Sequence, residues 1–400
     1  MDTLTLAPSP VRAPEPTEAV PLHRPWRTAA VTGLSVWAVL TVLHLAVSAV
    51  VRLPHEGAET PGLWSILLAW NNWDAGHYVR IAEEGYHVGP GFPAFFPLYP
   101  ILIRVFDVIV PGGPLISALV VANLAAWGAL VMLHRLADHE FGPRVAQRAT
   151  WYLAAFPMGF FLFIGYNESL FLLLAIAALY AGRRGHWWLA GTMGALSSAT
   201  RLFGVLLMLP LAVEYLRQIG WRPRGLRPDV LGIAMVPLGV VAYSVYCLID
   251  LGSPLAFSIA QDQWGRQYTF PGGAVVTAIQ QGARHGLLHP AALGAIVDVG
   301  TTLAAVALLV LCVKGRFRFR RDQMYLVAQG AITVLMLMST EVGGRSMQSA
   351  ARYSMEAVAI FLILARMGGR PWVDRAVVVT GVGLQAVLLL VFMSGTFLVA

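Results

Sequence analysis

The densest run of side chains able to do chemistry is Trp70-Asn71-Asn72-Trp73-Asp74-Ala75-Gly76-His77-Tyr78-Val79-Arg80-Ile81-Ala82-Glu83-Glu84-Gly85-Tyr86, followed by Ala94-Phe95-Phe96-Pro97-Leu98-Tyr99-Pro100. On a helix covering 63–84, Asp74, His77, Tyr78 and Ile81 share one face through their i, i+3 and i+4 spacing. A carboxylate and an imidazole then stand side by side, within reach of one bound hydroxyl. Asp74 can act as the base that takes the proton from an attacking alcohol, with His77 orienting the alcohol or the carboxylate. One carboxylate suffices for an inverting glycosyl transfer when the leaving group is a lipid phosphate. Hydrolysis of an ordinary glycoside needs a second carboxyl group to protonate the departing oxygen. The competing reading is structural, with Asp74 capping a helix or pairing with Arg80 or another exposed basic residue. Gly85 is placed to end the helix, and the prolines at 90, 93, 97 and 100 to force an extended return towards the membrane.

A departing phosphate needs cations, and guanidinium groups bind phosphate in bidentate fashion. Arg201, Arg266, Arg345 and Arg352 are the candidates. Arg352 also has Glu356 at i+4 and Arg345 has Glu341 close by, so an ion pair within the chain competes with ligand binding at both. Trp73, Tyr78, Asn167 and Glu168 are candidate substrate contacts. Glu168 opens an apolar block and equally suits the N-terminus of a helix. Asn167-Glu168-Ser169 spells a glycosylation sequon, but its place against the membrane marks it as a chance match. His44, His134 and His186 stand alone in or beside apolar blocks and read as structural. No His, Asp or Glu set has metal-ligand spacing, so neither a metal nor another cofactor is expected. No Gly-rich phosphate loop follows a strand, which argues against a cytosolic nucleotide-sugar donor.

The elements that must position these residues are membrane spans. Of the 400 residues 57% are apolar and 12% charged, and the mean hydropathy is +0.67. A soluble fold carries about twice that share of charge. Apolar blocks occur near 28–51, 115–134, 147–165, 167–182, 229–250, 291–313, 323–340, 350–367 and 375–399. Region 187–217 is interrupted by Ser197, Ser198, Thr200 and Arg201 and reads as two short helices. About eleven passes follow at roughly 20 residues per span. Residues 1–27 are Pro-rich and polar and read as a disordered cytoplasmic tail, ahead of one membrane domain over 28–400. Cys247 and Cys312 lie in apolar blocks as buried thiols, neither a disulfide nor a metal pair.

Charge sets the orientation. With the N-terminus inside, alternate loops carry Arg24 and Arg27, Arg135 and Arg144, Arg183 and Arg184, Arg217 to Arg227, Lys314 to Arg321, and Arg366 and Arg370. This is the positive-inside pattern. The net charge of +7 therefore marks cytoplasmic loops and not a nucleic-acid partner. Lys314 is the only lysine, a bias towards Arg that suggests a GC-rich bacterial genome. Two large loops, about 52–114 and 251–290, fall outside, and the four candidate arginines map to the outer half.

The run W-D-A-G-H-Y-x-x-I-A-x-x-G-Y followed by F-F-P-L-Y-P resembles the signature of the PIG-V family, the GPI mannosyltransferase II group and its bacterial relatives. Gly165-Tyr166-Asn167-Glu168-Ser169-Leu170-Phe171, Ala199-Thr200-Arg201-Leu202-Phe203-Gly204 and Gln263-Trp264-Gly265-Arg266 extend the likeness in order along the chain. The resemblance implies an all-α polytopic fold of the GT-C membrane glycosyltransferases. It also implies a polyprenyl-phosphate-mannose donor, inversion at the sugar and Asp74 as the base in the first outer loop. Ala75-Gly76 replaces bulkier residues of the human-like motif. The expected protein is a multi-pass cell-membrane mannosyltransferase with an extracytoplasmic site, whose partners are the bilayer, the lipid-linked sugar and a glycolipid, glycan or protein acceptor. Glucose or arabinose could replace mannose. A polar-lipid transporter or flippase is the rival class, since it too places arginines in a membrane cavity.

Overall fold

The structure is a computed structural model that describes residues 25–51, 62–284, 286, 289–342, 345–347 and 349–395, with Leu63, Arg345 and Ser346 described by backbone alone. Residues 1–24 of the expected tail lie outside the described residues, and its last three, Pro25 to Arg27, already belong to the first helix.

The first half of the chain forms α1 (Pro25–Val51), α2 (Leu63–Leu68), α3 (Asp74–Glu84), α4 (Leu98–Asp107), α5 (Pro114–Phe141), α6 (Pro143–Ala154), α7 (Glu168–Arg183), α8 (Trp187–Thr200) and α9 (Met208–Gln218). The second half forms α10 (Leu231–Ala234), α11 (Leu238–Leu251), α12 (Ala256–Gln263), β1 (Gln267–Tyr268), α13 (Gly273–Ala283), α14 (Pro290–Val313) and α15 (Met324–Met338). It closes with β2 (Thr340–Val342), β3 (Arg345–Ser346), α16 (Ala350–Tyr353), α17 (Val358–Met367) and α18 (Pro371–Met393). The result is an all-α polytopic membrane fold with a three-stranded antiparallel ribbon in the order β1-β2-β3.

Every apolar block contains a helix, but the helices differ in length. Among the described residues α1, α5, α14 and α18 are each long and apolar enough to cross a membrane, and all four begin on proline. Proline suits that position because the first N–H groups of a helix have no partner within it. Segment Pro228–Ala234 bends by 50° into α11, making a fifth candidate. Region 187–217 divides at Arg201 as its polar residues suggest. Block 147–165 is helical only to Ala154; Gln385 of α18 donates to the freed carbonyls of Ala154 and Phe156 at 2.9 and 2.8 Å.

Two local expectations fail. The helix expected over 63–84 is broken between Leu68 and Asp74. Asn72 Nδ2 turns back to the Ala69 carbonyl at 2.9 Å, and Trp73 takes a left-sided backbone conformation with φ 55°. Asn side chains compete in this way with helical hydrogen bonding. The Pro-rich stretch is not extended either. It holds a 3-10 turn over Phe92–Ala94, and α4 starts just after Pro97, because proline is compatible with a helix's first turn. Gly85 does follow the last residue of α3, at φ 81°.

Helix α7 is buried on almost every side and carries an ionic group at each end. Its length is about 24 Å at 1.5 Å per residue. At the Arg183 end, that guanidinium reaches Glu140 (2.6 Å), Glu214 (3.1 Å) and Asp322 (2.6 Å), tying together α5, α9 and the start of α15. Tyr325 and Gln323 also hydrogen-bond to Glu140. The Glu168 end lies with the candidate site. Helix α8 packs closely on α10 and α11 through glycines: a Cβ at Gly232 would strike the Trp187 carbonyl, and one at Gly239 the Ala195 carbonyl. The two large loops meet above the site end, where Trp264 Nε1 donates to the Gly91 carbonyl at 2.9 Å. Cys247 and Cys312 are buried and unpaired. His44 and His134 are buried, and His186 is exposed before α8.

Candidate active site

The break at Trp73 makes Asp74 the first residue of α3, where the partial positive charge of a helix N-terminus favours a carboxylate. The Tyr166 hydroxyl accepts from the Asp74 N–H (3.2 Å) and donates to the Asn72 carbonyl (3.3 Å), fixing this turn to the segment before α7. Asp74 Oδ2 accepts from Arg352 Nη1 at 3.0 Å. Oδ1 has no hydrogen-bond partner among the described residues, and the side chain is 29% exposed to an open cavity of about 210 Å³.

Asn167 docks the start of α7 on the end of α8: Nδ2 donates to the Thr200 carbonyl at 3.0 Å, and Oδ1 accepts from Arg201 Nε at 2.8 Å. Arg201 also donates to Glu168, and through Nη1 to Glu356 at 2.5 Å. Glu168 in turn lies 3.2 Å from Arg352 Nε. A continuous chain of alternating charge thus runs Asp74, Arg352, Glu168, Arg201, Glu356. Tyr353 lies against both guanidiniums, 4.9 Å from that of Arg201 and 4.7 Å from that of Arg352, and its hydroxyl accepts from Arg352 at 2.6 Å. Low surrounding polarity makes such pairs strong, and makes each member costly to leave alone.

The chain holds three carboxylates against two guanidiniums. Arg266 lines the same cavity and forms no ion pair among the described residues; its Nε is buried without a hydrogen-bond partner. A buried guanidinium nitrogen left unsatisfied is uncommon. Strand β1, just after Arg266, pairs with β2 (Gln267 opposite Glu341) and so holds this loop beside the segment that carries Arg352.

His77 and Tyr78 line the cavity with Asp74. No hydrogen bond joins His77 to Asp74; its ring instead packs among Phe92, Phe95 and Trp264, with centroids 5.1 to 5.3 Å away. Burial pushes the His77 imidazole below its usual range, partly opposed by the Asp74 charge and aided by Arg80, so it is neutral at pH 7. Trp73, Asn167 and Arg201 line the cavity as well. Glu168 is 1% exposed and bridges two arginines, so it makes no wall of the cavity and no capping hydrogen bond.

The structural alternatives weighed for these residues are not the pairs observed. Arg80 pairs with Glu84 and not with Asp74. Arg352 pairs with Asp74 and Glu168 because α16 ends at Tyr353 and a 3-10 turn carries Glu356 away from the i+4 position, towards Arg201. Register places Val342 opposite Arg345 and Ser346 opposite Glu341; the Arg345 side chain lies outside the described residues. Sequence reasoning assigned no site role to Tyr166, Tyr353 and Glu356. The signals available were the place of Tyr166 in the Gly165 to Phe171 motif and Glu356 itself, an acid within an apolar block. Among the described residues no three His, Cys, Asp or Glu gather as metal ligands.

At the C-terminal end of α3 lies a groove of about 380 Å³, lined chiefly by apolar and aromatic side chains including Ile81, Tyr86, Leu98, Ile101 and Tyr243. Ala199 borders this groove, while Thr200 and Arg201, which follow it, border the charged cavity.

Residues 57–218 match the family model described as Mannosyltransferase (PIG-V). Through this stretch the chain is similar to the PIG-V family. The PIG-V match contains Asp74, His77, Asn167, Glu168 and Arg201, while Arg266, Arg352 and Glu356 lie beyond it. GPI alpha-1,6-mannosyltransferase 2 of Rattus norvegicus is 29% identical over 233 residues, 56% of this chain and 46% of that protein. The Homo sapiens protein of the same name is 30% identical over 165 residues, 39% of this chain and 33% of its own length. The chain thus spans less than half the length of these curated relatives. Among solved structures, ArnT from Cupriavidus metallidurans bound to undecaprenyl phosphate is similar with a TM-score of 0.50 at 16% identity, over 90% of this chain and 76% of that one. At that identity the likeness shows the fold, and the chain has the GT-C type of membrane architecture.

Proposed function

We propose that this chain is an inverting glycosyltransferase that moves a mannosyl group from a polyprenyl-phosphate donor to an acceptor hydroxyl on the outer side of the membrane. The observation that carries this reading is a cavity with two different ends. Among the described residues, one wall holds a carboxylate steadied by Arg352 with an oxygen that has no hydrogen-bond partner, and another holds Arg266, a cation that forms no ion pair.

Asp74 takes the proton from the acceptor hydroxyl while that oxygen forms a bond to the anomeric carbon. The bond from that carbon to the phosphate oxygen breaks on the opposite face, and its electron pair leaves with the lipid phosphate. Arg266 neutralises the departing phosphate, and Arg201 and Arg352 hold the carboxylates in place while adding their field. Neutral His77 and the aromatic wall around it orient the sugar or the acceptor. The apolar groove beside α3 suits the polyprenyl chain. The outward placement is supported by the arginine pattern: Arg135, Arg183, Arg217 and Arg320 gather at the Arg183 end of α7, opposite the cavity.

The test supplies labelled polyprenyl-phosphate mannose to membranes that contain the full chain. Label should move to an acceptor with inverted anomeric configuration and leave unlabelled polyprenyl phosphate. Transfer from a nucleotide-sugar alone, or retention of configuration, would overturn the reading.

A further inference from the structure

Helix α14 is a candidate span of high hydropathy, yet it carries Asp298, only 6% exposed. An acidic group inside an apolar helix is costly unless it finds a partner. Asp298 finds one in backbone: Oδ1 accepts from the Ala351 N–H at 2.8 Å. Ala351 is the second residue of α16, the short turn that presents Arg352. Helix starts are ordinarily satisfied by their own N-cap side chain. Here the N-cap, Ser349, is in the left-handed region (φ 64°) and makes no capping hydrogen bond, and Met347 before it has φ 62°. Non-glycine residues in that region cost about 1–3 kcal/mol each and persist only where the surroundings hold them. Val299, next to Asp298, belongs to one buried cluster with Met347 and Ala350, so the turn of α14 that caps α16 also packs in the cluster holding the strained segment.

We propose that Asp298 is a positioning residue, which caps α16 from a neighbouring helix and so fixes the Arg352 guanidinium between Asp74 and Glu168. It touches neither substrate nor reacting atoms, and its effect on turnover passes through Arg352. This role rests on the glycosyltransferase reading only for its kinetic arm.

The experiment uses the full chain in nanodiscs, as wild type, Asp298→Ala and Asp298→Asn. Hydrogen exchange over residues 350–353 should quicken about tenfold in the alanine variant and stay near wild type in the asparagine variant, which keeps an acceptor oxygen. In the labelled-donor assay Asp298→Ala should lower kcat roughly 10- to 100-fold with little change in donor KM, as a displaced catalytic group does, and Asp298→Asn should restore most of the rate. In an Arg352→Lys background the alanine substitution should cost less than about twofold, since the group it positions is already altered. Unchanged exchange at 350–353 in Asp298→Ala would overturn the proposal, and so would a full, additive loss in the Arg352→Lys background. Absence of transfer by the wild-type chain would instead overturn the functional reading and leave the exchange measurement to decide whether Asp298 holds this turn.

Discussion

Arg266 differs from the other two described arginines of the cavity in forming no ion pair among the described residues. Arg266→Ala should therefore lower kcat/KM for the lipid-linked donor roughly 10- to 100-fold, the value of one charge-assisted contact, with the folded state intact. Arg266→Lys should recover part of this, because an ammonium is a point charge without the guanidinium fork. Steady-state kinetics against donor concentration checks both. Glu168 behaves in the opposite way. It is buried between Arg201 and Arg352, so Glu168→Gln breaks two buried ion pairs and should destabilise the fold by about 3 kcal/mol, read as a lower Tm in detergent. A wild-type Tm would show that the charge chain adds nothing to stability. Asp74 was legible because its motif is local. Its partner was not, since Arg352 is 278 positions away and its nearer acid, Glu356, sits at a spacing that suggests a helical pair. Only the end of α16 at Tyr353 decides between the two.

At the level of elements, the end of α8 carries Thr200 and Arg201 into the cavity, and the glycines of α10 and α11 set its distance from them. Small residues let helix backbones approach within membranes. Gly239→Val should push α8 away, cost about 1–3 kcal/mol as overpacking does, and weaken transfer through misplacement of Arg201. Thermal unfolding and kcat on the same preparation test this; unchanged values of both would contradict it. The division of 187–217 was legible because Ser197, Ser198, Thr200 and Arg201 interrupt an apolar run. The break before Asp74 was not, since periodicity across 63–84 continues through Asn71 and Asn72 and only their side-chain hydrogen bonding reveals the turn. That break matters to function: it moves Asp74 from a helix face to a helix N-terminus.

Across the whole molecule, α7 joins two buried ionic groups of different purpose. The distal one, Arg183 with Glu140, Glu214 and Asp322, touches no residue of the cavity. Arg183→Met should lower Tm by an amount matching about 3–5 kcal/mol while leaving kcat/KM of the folded fraction unchanged, as measured on protein recovered by gel filtration. A selective loss of kcat would mean that the two ends are coupled. The sequence pattern placed Arg183 correctly at the end opposite Arg201 but read it as a loop charge, because a one-dimensional count of arginines cannot show which of them turn inward onto acids. The central claim is that one carboxylate at the cavity end takes a proton from the acceptor, and single-turnover transfer by Asp74→Asn with labelled polyprenyl-phosphate mannose tests it most directly. Asparagine keeps the size and can still accept from Arg352 but cannot act as a base, so the rate should fall by roughly 10²–10⁴-fold while donor binding persists. Transfer at the wild-type rate would contradict the account.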